Sequence, residues 1–372
     1  MHQLIVSPYN GTFLIARPGS KGGMRIPRTL YEELASIAES SSPPPAWLLG
    51  HARTAWNVDL AGAVMRDAVL VRSGTGLGYG RATYEINKGC NFNCEHCYLA
   101  ERKFEGLPWP EKVRLLRLLR DAGVLWLQFT GGEPLIDRDF VDAYIFAHRS
   151  GMLIEILTNG SRLHRPEIIG LLHDLPPHKV TVSLYGATPD SFDSLTRRPG
   201  AFKLVEKGLV AAREAGIALE LALIITRHNA HELDAMRALA ERYGASRQEY
   251  GTISLTYTGT PEPPAAQAPG FLDETGVFEG CPAGHTFFHV DPHGLATMCK
   301  VGRENPVALM SEGLNGLLRL PGIADAQTLR TGGCDGCRLS GTCRVCRPLA
   351  KAYQEAKAPL NTYCQHGSEE AS

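Results

Sequence analysis

Gly89-Cys90-Asn91-Phe92-Asn93-Cys94-Glu95-His96-Cys97-Tyr98 holds three cysteines in C-x3-C-x2-C spacing. One short loop thus offers three thiolates, whereas a four-iron cluster needs four ligands. The missing ligand leaves one iron open to a small molecule. An open iron can do chemistry, while a fully ligated cluster mainly stores or moves electrons. Three scattered core cysteines, or part of a zinc site, are the plainer alternatives. Zinc sites usually pair cysteines as C-x2-C with a second pair elsewhere.

The flanking residues set this loop in a fold. Val124-Leu125-Trp126-Leu127-Gln128-Phe129-Thr130 is an apolar run ended by two glycines, the pattern of a buried strand. Gly131-Gly132-Glu133-Pro134 follows directly, about 35 residues after the cysteines. Glycines let backbone approach a ligand closely, and a Glu133 carboxylate can accept hydrogen bonds from an ammonium group. From Ala82 onward the pattern alternates. Strands are expected over Thr83–Asn87, Val124–Thr130, Leu153–Leu157, Lys179–Ser183, Ala218–Ile225 and Gln248–Tyr257. Helices are expected over Glu111–Asp121, Arg138–Ser150, Pro166–His173, Phe202–Ala215 and Ala230–Tyr243.

Six such βα units predict an α/β fold of parallel strands with right-handed crossovers. Ligands in such folds sit at the carboxyl ends of the strands. The cysteine loop follows the first strand and Gly131–Pro134 the second. Thr158-Asn159-Gly160 closes the third and Ser183-Leu184-Tyr185-Gly186 the fourth. Tyr257 and Glu155 can face the barrel interior, although core and surface places suit them equally. No catalytic acid or base stands out.

Residues 1–78 precede these motifs. Leu4-Ile5-Val6 and Thr12-Phe13-Leu14-Ile15 read as a hairpin about Asn10-Gly11, a preferred tight turn. Helices are expected over Pro27–Ile37 and, as one or two, over Pro45–Met65. Strands followed by helices suit a small winged-helix-like module, and equally an extension that packs on the barrel. Ser73-Gly-Thr-Gly-Leu-Gly-Tyr-Gly80 reads as a link into residues 79–258. Four prolines between Gly259 and Gly270 mark another link, residues 259–280.

The remaining cysteines lie in residues 281–372. Cys281 and Cys299 bracket Gly294, followed by Cys334-x2-Cys337-x5-Cys343-x2-Cys346 and Cys364. Zinc is a reading for such paired cysteines too. Ten cysteines in a chain whose first residues lack a charged and then apolar signal pattern argue for metal or redox use in a reducing cytoplasm, not for disulfides. A net charge of −1 without a basic block gives no footprint for nucleic acid. The most apolar stretch, Ile217–Ile225, is short and carries Glu220, so no membrane helix is expected.

The cysteine loop with Gly131–Pro134 behind it resembles the radical S-adenosylmethionine family over roughly residues 82–258. Residues 281–364 resemble the SPASM extension of radical enzymes that modify peptides and proteins. One departure is that Cys343 and Cys346 are separated by two residues where the usual pattern has three, which leaves the place of Cys346 open. The resemblance implies a partial (β/α)6 TIM-type barrel, with a small N-terminal α+β module and a cysteine-rich C-terminal iron–sulfur domain.

It also implies S-adenosylmethionine (SAM) and three [4Fe-4S] clusters as cofactors. Cys90, Cys94 and Cys97 would hold the cluster whose open iron binds SAM. Reduction would then cleave the sulfonium to a 5'-deoxyadenosyl radical that abstracts hydrogen from substrate. Gly131, Gly132, Glu133 and Pro134 would hold the methionine amine, with Thr158, Asn159, Ser183 and Arg197 as further contacts and His96 beside the adenine. In the family's ligand order Cys334, Cys337, Cys343 and Cys364 close one auxiliary cluster. Cys281, Cys299 and Cys346 hold the other with three thiolates, so that one iron takes another ligand, such as a substrate cysteine, or stays open.

The implied function is maturation of a ribosomally made precursor peptide, by a thioether or carbon–carbon crosslink or by epimerisation. The N-terminal module would bind a leader segment by strand addition, and a flavodoxin- or ferredoxin-type protein would supply electrons. Serine or cysteine oxidation in a sulfatase, or radical chemistry on a small metabolite, keeps the chemistry and changes the substrate. An electron carrier or zinc-binding scaffold is the non-enzyme alternative.

Overall fold

The computed structural model describes residues 2–20, 22–99, 101–254, 256, 263–268, 270–271, 281–339, 343, 345–360, 363–364 and 366. β1 (Leu4–Tyr9) and β2 (Thr12–Ala16) form the expected hairpin. Asn10 and Gly11 both take positive φ, 45° and 74°, as the two-residue turn requires. β3 (Gly23–Ile26) adds to β2, and α1 (Arg28–Ser36), α2 (Ala46–Trp56) and α3 (Met65–Ala68) follow. β4 (Val69–Val71) returns parallel to β1, giving the sheet order β3-β2-β1-β4. Alternation decides what each face covers. Leu4, Val6 and Ile15 pack on Leu34, Leu48 and Met65 of the helices. Ile5, Leu14 and Ala16 point the other way, against Leu125 and Leu153.

Six parallel strands make up the barrel. They run β5 (Arg81–Asn87), β6 (Trp126–Gly131), β7 (Leu153–Thr158), β8 (Lys179–Leu184), β9 (Leu219–Ile224) and β10 (Ser246–Tyr250), each beside the next. Between them lie α4 (Trp109–Asp121), α5 (Phe140–Arg149), α6 (Pro166–Asp174), α7 (Pro189–Thr196), α8 (Ala201–Glu214) and α9 (Leu233–Arg242). The strand count is the expected one. β10 is shorter than expected, and Tyr257 lies outside the described residues. Glu155 sits low on β7, where Arg81 Nη2 donates to it at 3.0 Å, away from the carboxyl ends of the strands.

The tail joins this sheet, although the sequence suggests a link that sets it apart. β11 (Phe287–Val290) pairs parallel with β5, and β12 (Leu295–Thr297) and β13 (Val307–Ala308) continue outward. Leu309 and Leu317 of α10 (Leu309–Leu317) and Leu320 of α11 (Leu320–Thr328) share one core with Leu115 and Leu119 of α4. At the opposite edge Tyr353 of α12 (Arg347–Glu355) donates to Ile253 O at 3.0 Å, so the tail reaches both sides of the open barrel. Within the expected link, Pro263–Ala266 forms one 3-10 turn, and Arg227 N–H donates to Ala266 O. No helix among the described residues is long and apolar enough to cross a membrane.

Candidate active site

A cavity of about 330 Å³ opens at the carboxyl ends of the strands, a size that suits a small ligand. Cys90, Cys94, Cys97 and His96 line it from the loop after β5, and Gly131 and Gly132 from the turn after β6. Thr158, Asn159 and Ser183 line it from the ends of β7 and β8. Residues from four places in the sequence therefore meet at one cavity, as the strand order requires.

Gly131 and Gly132 have a steric task that the sequence reading assigned differently. A Cβ on Gly131 would lie 2.1 Å from Asn87 O, and one on Gly132 would lie 2.2 Å from Gly89 O. The glycines let this turn close onto the start of the cysteine loop. Gly132 N–H donates to Asn87 O and Glu133 N–H to Gly89 O, which fixes the contact.

Glu133 itself is fully buried and braces the neighbouring strand end. Its carboxylate accepts from Thr158 Oγ1 at 2.6 Å, from Asn159 N–H at 2.6 Å and from Leu135 N–H at 3.0 Å. Burial outweighs these three bonds and pushes its pKa up to about 7. Pro134 begins the short 3-10 turn behind it and is buried. Asn159 also donates to Asn91 Oδ1 at 2.9 Å, and Asn91 to Ser161 Oγ at 2.9 Å, which ties the cysteine loop to the end of β7. Glu95 ties it to the segment after β9, accepting from Arg227 and His228 at 2.7 Å each.

Arg197 stands elsewhere. It ends α7 in the left-handed conformation, φ 50°, and is exposed. Its neighbour Arg198 is the one that reaches the loop, donating to Asn91 O at 2.8 Å. His96 faces Tyr185 with ring centroids 5.0 Å apart. Burial lowers its pKa to about 4, and its Nδ1 is buried without a hydrogen bond. Sequence reasoning missed Tyr98, Arg102, Tyr185, Ile224, Tyr250, Lys300 and Val301 as lining residues. Tyr98 closed the quoted cysteine run, Tyr185 lay within the quoted strand end, and Lys300 adjoins Cys299. The others carried no local signal.

The three thiols suit a cluster, which takes each thiolate on a different iron. They act on one another: burial, then the neighbouring Cys97 and Cys90, raises the Cys94 thiol. They do not converge on a single ion, and neither do any three His, Cys, Asp or Glu side chains among the described residues. The turn closed by Gly131 and Gly132, and the orphaned His96 nitrogen, leave a cradle beside them that fits a ligand with polar groups. In the tail, partial desolvation raises the Cys346 thiol although the residue is exposed, and the thiols of Cys299 and Cys281 add to the shift. Gln354 Nε2 approaches Cys334 Sγ at 3.4 Å, and Arg347 Nη2 approaches Cys343 Sγ at 3.0 Å. Cys337 and Cys364 are half-buried nearby in the chain.

Residues 84–240 match the Radical SAM superfamily. The mycofactocin maturase MftC of Mycobacterium ulcerans (strain Agy99) is 30% identical over 237 residues, which are 59% of this chain and 63% of MftC. The match thus spans less than two thirds of that relative. Streptococcus suis SuiB, in a crystal structure bound to precursor peptide SuiA, superposes with a TM-score of 0.58 at 13% identity, over 92% of this chain and 94% of SuiB. Native anSMEcpe with bound AdoMet gives 0.52 at 12% identity, over 74% of this chain and 95% of that one. At those identities the two structures attest the fold. What these proteins share with the chain is the barrel built around this cavity, whose residues 84–240 are similar to the Radical SAM superfamily.

Proposed function

We propose that the chain is a radical SAM enzyme that modifies a ribosomally made precursor peptide. One observation carries the reading. The cavity is lined by Cys90, Cys94 and Cys97 and also by Lys300 and Val301, which follow Cys299 in the tail. A radical domain and a cysteine-rich tail thus face the same space. That MftC is a maturase, and that SuiB is seen with a precursor peptide, supports a peptide as substrate.

Cys90, Cys94 and Cys97 would hold a [4Fe-4S] cluster. Gly131, Gly132, Glu133, Pro134, Thr158, Asn159 and Ser183 would receive the methionine part of SAM, and His96 the adenine. When bound, the pair supplies a carbon-centred radical able to take a hydrogen atom from substrate. The chain's own part is to position and enclose. Phe92, Leu157, Tyr185, Ile224 and Ile253 give the cavity apolar walls that keep water from the reacting atoms. Cys334, Cys337, Cys343 and Cys364, and Cys281, Cys299 and Cys346, would hold two auxiliary clusters. The N-terminal sheet would bind a leader segment, and a flavodoxin- or ferredoxin-type protein of the cytoplasm would deliver electrons.

The test is reductive cleavage. Reconstituted anaerobically with iron and sulfide, the chain should carry about 12 irons, by four per cluster, and form 5'-deoxyadenosine with dithionite and SAM. Replacing Cys90, Cys94 and Cys97 together by alanine should abolish that product and leave about 8 irons. Undiminished cleavage in this variant sinks the assignment. A mass change in a short peptide encoded beside the gene, dependent on SAM, would separate peptide from metabolite.

A further inference from the structure

Arg347 opens α12 one residue after Cys346, and its charge has no carboxylate partner among the described residues. The side chain is buried. Its Nη2 donates to Cys343 Sγ at 3.0 Å. Nε and Nη1 are buried as well and make no hydrogen bond. A guanidinium offers five N–H donors and keeps its charge in any protein setting. Buried charges are paired or stand beside metals, because desolvation of a lone charge is so unfavourable. The polar partner this one has among the described residues is the Cys343 thiol, and Cys346 precedes it in sequence.

A cluster held by thiolates supplies the missing negative charge. We infer that Arg347 is the counter-cation of the auxiliary cluster that Cys343 helps to hold, and that it raises that cluster's reduction potential. The inference rests on the auxiliary clusters of the proposed function. Reduction adds one electron and hence one negative charge. A fixed cation that donates to a ligating sulfur stabilises the reduced form more than the oxidised one, and cluster potentials follow net charge and hydrogen bonds to sulfur. The segment has a second feature of this kind. Gln354, two turns along the same helix, approaches Cys334 Sγ from its amide nitrogen, so the first and later turns of α12 both present donors to cysteine sulfur. Arg347 is the one that brings charge.

The experiment is a redox titration of the full reconstituted chain with dithionite, followed by electron paramagnetic resonance, for wild type, R347K and R347Q. The cluster on Cys90, Cys94 and Cys97 is identified by the change in its signal when SAM is added. In R347Q one other signal should show an about tenfold lower reduced-to-oxidised ratio at fixed potential, which is about 59 mV for a one-electron couple. R347K keeps the charge and should shift by less than half as much, and the SAM-sensitive signal should stay in place. An unshifted auxiliary signal in R347Q at full iron load overturns the inference. So does an equal shift in R347K, since charge would then not be the cause. If R347Q fails to load, loss of about four irons with retention in R347K supports the role, and loss in both overturns it. A wild-type chain holding only about four irons fails the auxiliary-cluster reading itself, a result seen before any substitution is made.

Discussion

Glu133 lies in a four-residue turn, yet its carboxylate fixes the relation between two strand ends. Thr158, Asn159 and Leu135 all donate to it, and burial still holds its pKa up at about 7 against an ordinary value of 4.5. The sign of the consequence follows from proton counting. Between these two values the folded chain keeps a proton that the unfolded chain has lost, so stability falls as pH rises through the window and levels off above 7. The size is up to about 3 kcal/mol at 1.36 kcal/mol per unit. Urea unfolding of the cluster-free chain at several pH values, for wild type and Glu133→Gln, should give a difference that moves against wild type as pH rises from 5 to 7. A difference independent of pH would show that this carboxyl does not titrate in the window. The residue could be named from sequence because the turn is local. Its bonds to Thr158 and Asn159 could not, since nothing in either segment encodes that β6 and β7 are neighbours.

Val124–Thr130 reads as a strand because Leu125, Leu127 and Phe129 are buried in alternation along an apolar run, and Leu219–Ile224 because nearly all of it is buried. β3 and β11–β13 went unread because two to four residues show no period. α7 buries only Phe192 and Leu195 among its large apolar side chains, too few to mark a helical stripe. The join between barrel and tail was equally silent. Glu85 of β5 is fully buried and accepts from Tyr98 Oη at 2.7 Å and from Arg303 Nη2 at 2.8 Å, with His289 Nε2 at 3.4 Å. His289 and Arg303 lie about 200 positions beyond Glu85 in sequence, and the pairing of β11 with β5 brings that part of the chain alongside it. Burial opposes the charge on Glu85, but His289 and Arg303 outweigh it and hold the carboxyl well below its usual range. Its contribution is therefore present in full above the unfolded value of 4.5 and is lost as pH falls below it. Glu85→Gln removes the anion that faces the Arg303 guanidinium and should cost about 3–5 kcal/mol at pH 7. Urea unfolding should show that gap narrowing in acid. An equal gap at pH 4 and pH 7 would assign the loss to packing.

At the scale of the molecule, the N-terminal sheet and the cavity stand at opposite ends of the barrel. Leu125, Trp126 and Leu153 begin β6 and β7, and they meet Ile5, Leu14, Ala16 and Tyr9, the last with its ring 4.5 Å from that of Trp126. The cavity lies past the other ends of the same strands. The two sequence-level alternatives for residues 1–78, packing on the barrel and binding a leader, are thus compatible, because one sheet face does the first and a sheet edge is left for the second. Deleting the module would strip Leu125 and Leu153 of their cover, so a truncation confounds peptide affinity with folding. The open edge gives a cleaner test. β3 ends the sheet order, and its outer side has no strand beside it among the described residues. Successive N–H groups of a strand point to opposite sides, so of Met24 and Arg25 one donates inward to β2 and the other outward. Proline at the inward position breaks the ladder and should lower the thermal midpoint. Proline at the outward position removes only the donor that an added strand would use. Between Met24→Pro and Arg25→Pro, the variant that keeps the wild-type midpoint should lose at least about tenfold in affinity for the proposed precursor peptide, about 1.4 kcal/mol, measured by fluorescence anisotropy. It should still cleave SAM at the wild-type rate when no peptide is present. Unchanged affinity in that folded variant would mean that the leader is not added to β3, and that the module's contact with the barrel is its whole role.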